Sequence, residues 1–344
     1  MEKTSGKVIT FGEIMLRLAP EGYYRFVQAP RFGVTYGGGE ANVAIALANF
    51  GMDVAFVTRL PTHEIGQAAV NTLRQFGVDT SKIVRGGSRV GIYFLEKGAS
   101  QRPSKVIYDR AGSAIATALP ADFDWNAIFA GAAWFHFTGI TPALGDTMAA
   151  ICLEACKTAK AKGLQVSCDL NYRKNLWSRE KAGAVMEQLM PFVDLCIANE
   201  EDAADVFGIH AKNSDIGSGK ISHEGYQEVT KALMDRFGFK QTAITLRESL
   251  SANDNNWAAI LYNGREYVFS KKYAVHIVDR VGGGDSFGAG LIYGSLQGLS
   301  PQETLEFAVA ASCLKHSIEG DFNLISVDEV KKLAGGDASG RVQR

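Results

Sequence analysis

The chain has 344 residues, 46% of them hydrophobic, enough to bury a large core as one big α/β domain or two smaller ones. Its 36 lysines and arginines balance 37 acids, which argues against a broad nucleic-acid footprint and a basic membrane-binding surface. The five cysteines form no CxxC pair, residues 1–7 lack a signal-peptide core, and no apolar stretch is long enough to span a bilayer. A reduced, cytoplasmic protein is expected. Cys152 and Cys156 lie one helical turn apart, a metal-ligand spacing, but no matching His pair follows and buried free cysteine is common.

Residues 8–13 read as a buried opening strand ending in a turn. From 15 to 36 the pattern loosens into short pieces, Leu16/Leu18 and Tyr24/Phe26, broken by Pro20, Gly22 and Pro30. That suits an exposed, irregular β segment more than core. Gly37, Gly38 and Gly39 then lead through Glu40-Ala41-Asn42 into an apolar helix, 43–50, stopped by Gly51. A hairpin or helix-entry turn is the plain reading of these glycines; the functional alternative points Asn42 into a cavity.

A strand at 54–60 and a helix at 66–76 follow, then two strands, 90–96 and 105–110, around a Gly/Ser/Pro loop. On the second of these, Tyr108 and Arg110 share a face, as an exposed surface pair or as a grip on a polar small molecule. From 134 onward short apolar strands (134–138, 165–169, 195–198, 241–246) alternate with helices (145–162, 179–190, 227–237). This alternation predicts a mostly parallel sheet covered on both faces. Ligands collect beyond the carboxyl ends of such strands, where Asp169–Arg173, Asn199–Asp202 and Thr245–Arg247 fall.

A hairpin around Asn263-Gly264, helices at 301–318 and 327–333, a mobile loop at 213–224 and a frayed tail at 335–344 complete the chain, with no internal repeat.

Between these lies Asp279-Arg-Val-Gly-Gly-Gly-Asp-Ser-Phe-Gly-Ala-Gly290. Gly282, Gly283 and Gly284 let the backbone approach an anion, and the helix they open offers unpaired N–H groups. Asp285 at that mouth is placed to accept a proton, so the stretch reads as phosphoryl-transfer machinery. The plainer alternative is a flexible turn with Asp285 as a helix cap. A dinucleotide fingerprint fails at Phe287, and a P-loop fails because Ser214 and Ile221 replace its first glycine and its hydroxyl residue.

Gly37-Gly38-Gly39 with Ala41-Asn42-Val43-Ala44 resembles the N-terminal signature of the ribokinase-like (PfkB) carbohydrate kinases, and Asp279-x-x-Gly-Gly-Gly-Asp285 their C-terminal signature. The resemblance spans nearly the whole chain. It implies an α/β, ribokinase-like fold: a mostly parallel sheet flanked by helices on both faces, with a small β lid from about 13–36 and 90–110 in a single domain, 1–344. Asp285 is then the catalytic base and the amides of Gly282 to Gly284 the anion hole. ATP with Mg2+ is the implied donor. Asn199 and Asp202 match the family's Asn-x-x-Glu motif, Asn199 on the nucleotide side and Asp202 on the metal, with Asp for Glu. Thr245 and Arg247 stand where many members have Thr-x-Gly at the nucleotide. The lid implies a homodimer.

Gly37, Gly38, Asn42, Tyr93, Tyr108, Arg110, Arg173 and Asp321 are the expected sugar contacts. Two arginines at one pocket favour a carboxylate on the substrate. Tyr108–Ser113, Asn171-Tyr-Arg173 and Gly320-Asp321 resemble the 2-keto-3-deoxygluconate kinases of the family. A small sugar acid and ATP are thus the expected partners, with no nucleic acid and no membrane. A kinase of a neutral sugar such as fructose or ribose, and a non-catalytic sensor on the same fold, are the alternatives.

Overall fold

Apolar strands alternating with amphipathic helices produce the expected sheet. The computed structural model describes residues 6–199, 201–211, 222–338 and 340. Among the described residues nine strands form the main sheet. Its parallel part runs Gln241–Ser249, Leu195–Ala198, Gln165–Asp169, Ala132–Thr138, Lys7–Phe11, Val54–Val57. Asp254–Tyr262 joins the Gln241–Ser249 edge antiparallel, and Tyr267–Phe269 and Tyr273–His276 pair with it in turn.

Side chains alternate across a strand, so each strand feeds two cores. Along Lys7–Phe11, Val8 enters one core while Ile9 and Phe11 enter the other. The first core is closed by the helices Gly39–Asn49, Gly283–Leu296 and Pro301–Lys315. The second is closed by Asp146–Ala161, Arg179–Leu189 and His223–Phe237. No helix among the described residues is long and apolar enough to cross a membrane.

A separate four-stranded sheet, in the order Gly33–Gly37, Met15–Ala19, Ile92–Glu96, Lys105–Asp109, is built from the two segments expected to form the lid. All five residues of Lys105–Asp109 are exposed. Met15–Ala19 departs from the exposed, irregular β expected there, because Met15 and Arg17 are buried and the apolar pair Leu16/Leu18 takes the other face. The strand expected over 54–60 is two, since Arg59–Leu60 turns away to pair with Val84–Arg85.

Ser222 caps the helix that begins at His223, so that helix takes in the end of the expected 213–224 loop. Residues 212–221 lie outside the described residues, as do 339 and 341–344 of the expected tail. All five cysteines are free, and among the described residues no group of three His, Cys, Asp or Glu side chains could hold a metal.

Candidate active site

The carboxyl ends of the parallel strands, the small sheet and the start of the Gly283–Leu296 helix enclose a cavity of about 500 Å³. Gly282 sets its floor. Its φ of +85° is left-handed, and a Cβ there would stand 1.9 Å from the Asp321 carbonyl, so the turn demands glycine on both counts. The first full helical bond runs from Ser286 N to Gly282 O at 2.9 Å. The helix-start donors are therefore those of Gly283, Gly284 and Asp285, and the Gly283 amide leans on Arg280 O at 3.4 Å. The donor set sits one residue later than the Gly282–Gly284 set expected from the motif. Gly284 is exposed to the cavity, whereas Gly283 packs inward on the His316 ring.

Asp285 is half-buried in the first turn of this helix. Its carboxylate accepts a 2.7 Å bond from Asn42 Nδ2. Burial pushes its carboxyl up to about 6, against the Asn42 hydrogen bond, which pulls it down. Asn42 is oriented by its own helix entry: Gly38 N donates to Asn42 Oδ1 at 3.2 Å, leaving the amide NH2 for Asp285. Gly38 lies so close to Glu13 O that a Cβ would meet it at 1.9 Å. The two glycine motifs, far apart in sequence, thus converge on one carboxylate.

Tyr93, Tyr108, Arg110 and Asp321 line the same cavity. Asp321 is buried, its oxygens taken by Arg17 Nη1 at 2.6 Å and the Tyr93 hydroxyl at 2.6 Å. It touches Gly37, where a Cβ would stand 1.9 Å from Asp321 Oδ2. Arg17 also donates to Asp279 Oδ2, which in turn accepts Gly320 N at 3.1 Å. A continuous buried network therefore joins the small sheet to the glycine turn.

Arg110 does not meet the cavity as a free cation. Its Nε donates to Glu13 Oε2 at 2.8 Å, its Nη2 bonds the same oxygen, and Ser113 Oγ holds Glu13 Oε1 at 2.6 Å. Of the two arginines expected to grip a substrate carboxylate, Arg110 brings its own counter-ion. Its guanidinium also stacks 5.5 Å from the Tyr108 ring, on the face the two were expected to share. Arg173 is exposed at the cavity wall and among the described residues donates only to the Tyr172 carbonyl, at 3.0 Å.

At the other end, Asn199 and Asp202 cap each other. Asn199 Oδ1 accepts Asp202 N at 3.0 Å, and Asp202 Oδ2 accepts Asn199 N at 2.9 Å. Asp202 Oδ1 takes Tyr172 N at 3.0 Å, so both oxygens of the expected metal ligand already hold main-chain donors. Asp169 lies nearby in the cavity wall. Burial first, then the charges of Asp202 and Asp285, hold its carboxyl well above the usual range. Thr245 and Arg247 line the far wall with Arg280 and Trp257, and the Trp257 and His316 rings lie 5.0 Å apart. Burial, and then the charge of Arg247, lower the Arg280 guanidinium, a crowding of cations suited to a polyphosphate.

Sequence reasoning placed Asp169 at a ligand-collecting strand end without giving it a role, and did not single out Arg17, Glu13 or Arg280. Arg280 had a local signal, its place inside the glycine motif. Arg17 and Glu13 had none, since their partners lie 97 to 304 residues away.

A carboxylate beside the open amides of a helix start, at the strand ends of a parallel sheet, is the arrangement that phosphoryl transfer needs. Residues 5–323 match the pfkB family of carbohydrate kinases, and the chain belongs to that family. It is a carbohydrate kinase with the ribokinase-like fold, acting on a sugar and ATP. The sensor alternative is set aside by this membership.

The chain is 53% identical to a crystal structure of 2-dehydro-3-deoxygluconokinase from Thermotoga maritima, with a TM-score of 0.93 over 96% of this chain and 100% of that one. It is 31% identical over 335 residues to 2-dehydro-3-deoxygalactonokinase of Haloferax volcanii, covering 97% of this chain and 98% of that protein. It is 28% identical over 320 residues to 2-dehydro-3-deoxygluconokinase of Thermoproteus tenax, covering 91% and 89%.

Proposed function

We propose that this kinase phosphorylates the terminal hydroxyl of 2-keto-3-deoxygluconate, the 2-dehydro-3-deoxygluconate of its relatives' names. The observation that carries the mechanism is Asp285, held by Asn42 beside the exposed Gly284 at a helix start. Asp285 takes the hydroxyl proton as the substrate oxygen bonds to the γ-phosphorus and the bond to ADP breaks. The amides of Gly283, Gly284 and Asp285 stabilise the charge on the transferring group. Asn199, Thr245, Arg247 and Arg280 bind the nucleotide, the two arginines on its phosphates.

The residues present fit Mg2+ carried on ATP rather than a resident protein-bound ion. Such Mg2+ draws most ligands from phosphates and water, and among the described residues no three-ligand cage exists. Asp169 and Asp202 are the carboxylates that would face it. Burial, opposed by its own hydrogen bonds, raises Asp202, and a cation relieves that penalty for both. When bound, the ion neutralises phosphate charge during transfer.

Substrate choice rests on Arg173, the exposed cavity cation with no ion pair among the described residues. Tyr93, Tyr108 and Asp321 border the sugar, with Gly37 and Gly38 giving the backbone room. Arg110 contributes the face not taken by Glu13. The identity to a 2-dehydro-3-deoxygluconokinase supports the same reading.

A coupled ATP-consumption assay over 2-keto-3-deoxygluconate, 2-keto-3-deoxygalactonate, gluconate, fructose and ribose tests it. Preference for 2-keto-3-deoxygluconate is expected. Preference for the galactonate would favour the second reading that the Haloferax volcanii relative motivates, and turnover of fructose or ribose alone would overturn both.

The exposed lid residues Val34, Val106 and Ile107 support a homodimer through the lid, and a monomer by light scattering would remove it. Five free cysteines support a cytoplasmic enzyme, which cell fractionation tests.

A further inference from the structure

Lys315 ends the Pro301–Lys315 helix with no solvent exposure at all. A buried ammonium is stable only where partners replace water. Here they are two main-chain carbonyls, Asp279 O at 3.4 Å and Ile318 O at 3.2 Å. Among the described residues the ammonium hydrogen-bonds to no carboxylate. The carbonyls at a helix C-terminus add the negative end of its dipole. Lys315 Cε lies 3.2 Å from where a Cβ on Gly282 would stand, so the side chain runs directly behind the glycine turn. Burial lowers its basicity, and Asp279 and Asp321, which oppose that fall, are also the two carboxylates that clamp Arg17. Two cations thus face two carboxylates in one buried network, and the glycine turn rests on it.

We propose that Lys315 is a positioning residue for phosphoryl transfer: a resident monovalent cation, held by main-chain carbonyls, that fixes Gly282–Asp285 for the incoming phosphate. The role rests on the reading of this turn as the transfer site. Two consequences separate it from simple packing. The wild-type enzyme needs no dissolved monovalent cation at this place, because one is covalently installed. Truncating the side chain opens a carbonyl-lined pocket that small cations refill.

The test compares wild type, Lys315→Met and Lys315→Ala at constant ionic strength, with choline chloride replaced stepwise by ammonium, methylammonium or potassium chloride. Lys315→Met, apolar and space-filling, is expected to lose kcat on the order of a hundredfold, the scale of losing an anion-hole donor, with KM for the sugar acid nearly unchanged. Lys315→Ala is expected to show a similar loss that ammonium or potassium reverses saturably, with a parallel saturable rise in melting temperature. Wild type should respond to neither.

Wild-type kcat in Lys315→Met would overturn the proposal. So would a folded Lys315→Ala that no small cation rescues. Activation of the wild type itself by potassium or ammonium would overturn it too, an arm that holds even where the variants fail to fold. The melting arm needs no sugar, so a wrong substrate assignment leaves the test intact.

Discussion

Two charged regions of one cavity are built on opposite plans. At the glycine turn, Gly284 is exposed and Asp285 is half-buried, with one hydrogen bond, from Asn42, among the described residues. Under the small sheet the buried charges arrive with their partners: Arg17 with Asp279 and Asp321, Arg110 with Glu13, and Asp321 again with Tyr93. Paired buried charges add little net stability but cost heavily when one is removed. The charges under the small sheet therefore fix geometry, whereas the turn keeps valences open for the proposed substrates. Residue type alone does not separate these roles; hydrogen-bond occupancy does.

Removing the open carboxylate should have the largest effect. Asp285→Asn keeps the shape and the bond to Asn42 but cannot take a proton, and kcat should fall roughly 10³- to 10⁴-fold while calorimetry still detects ATP binding. Near-normal turnover would break the comparison at its centre. Arg17→Met probes the opposite plan. It strands Asp279 and Asp321, both buried, and should cost about 3–5 kcal/mol of stability, read as the shift of the denaturation midpoint. A stable Arg17→Met that fails only in sugar binding would make this network a binding surface rather than a frame.

The two arginines expected to grip a substrate carboxylate divide along the same line. Arg173→Ala should raise KM for the sugar acid roughly tenfold to a hundredfold, the ~1.5–3 kcal/mol of a hydrogen bond to a charged group. Its melting temperature should stay at the wild-type value, because Arg173 is exposed. Arg110→Ala should lower the melting temperature as well, since Glu13 loses its counter-ion in a buried site. Equal loss of stability in both variants would erase the distinction.

The glycine turn was legible because its parts are contiguous: three glycines, a carboxylate and a helix within one stretch reveal a shape that local physics determines. The strand–helix alternation was legible for the same reason, and Gln165–Asp169 and Leu195–Ala198 appear with the bounds read from the residues. The small sheet was legible as a location but not as a circuit. In Met15–Ala19 the apolar pair Leu16/Leu18 drew attention to one face, while the buried face carries Met15 and Arg17. An arginine in such a place reads as exposed until its two carboxylates, 262 and 304 residues away, are known. Asp202 shows the converse. Its motif spacing marked a metal ligand, and the fold adds two main-chain donors that spacing alone does not reveal.

The smallest expected effect is the most specific to the turn. Burial raises the Asp285 carboxyl to about 6, and the Asn42 hydrogen bond favours its ionised form and so works against that rise. In the proposed mechanism Asp285 must be ionised to act, so wild-type kcat/KM should climb with pH through about 6 and then level. Asn42→Ala removes the opposing bond, so the carboxyl moves further up and the acid limb shifts to higher pH. Activity should fall most below the limb, by up to roughly tenfold per unit of displacement, and approach wild type on the alkaline plateau. Arg173 also lowers this carboxyl by its charge, so Arg173→Ala should shift the limb in the same direction. If Asn42→Ala instead loses the same factor at every pH, Asn42 acts by placing the sugar, and its bond to Asp285 belongs with the satisfied pairs under the small sheet.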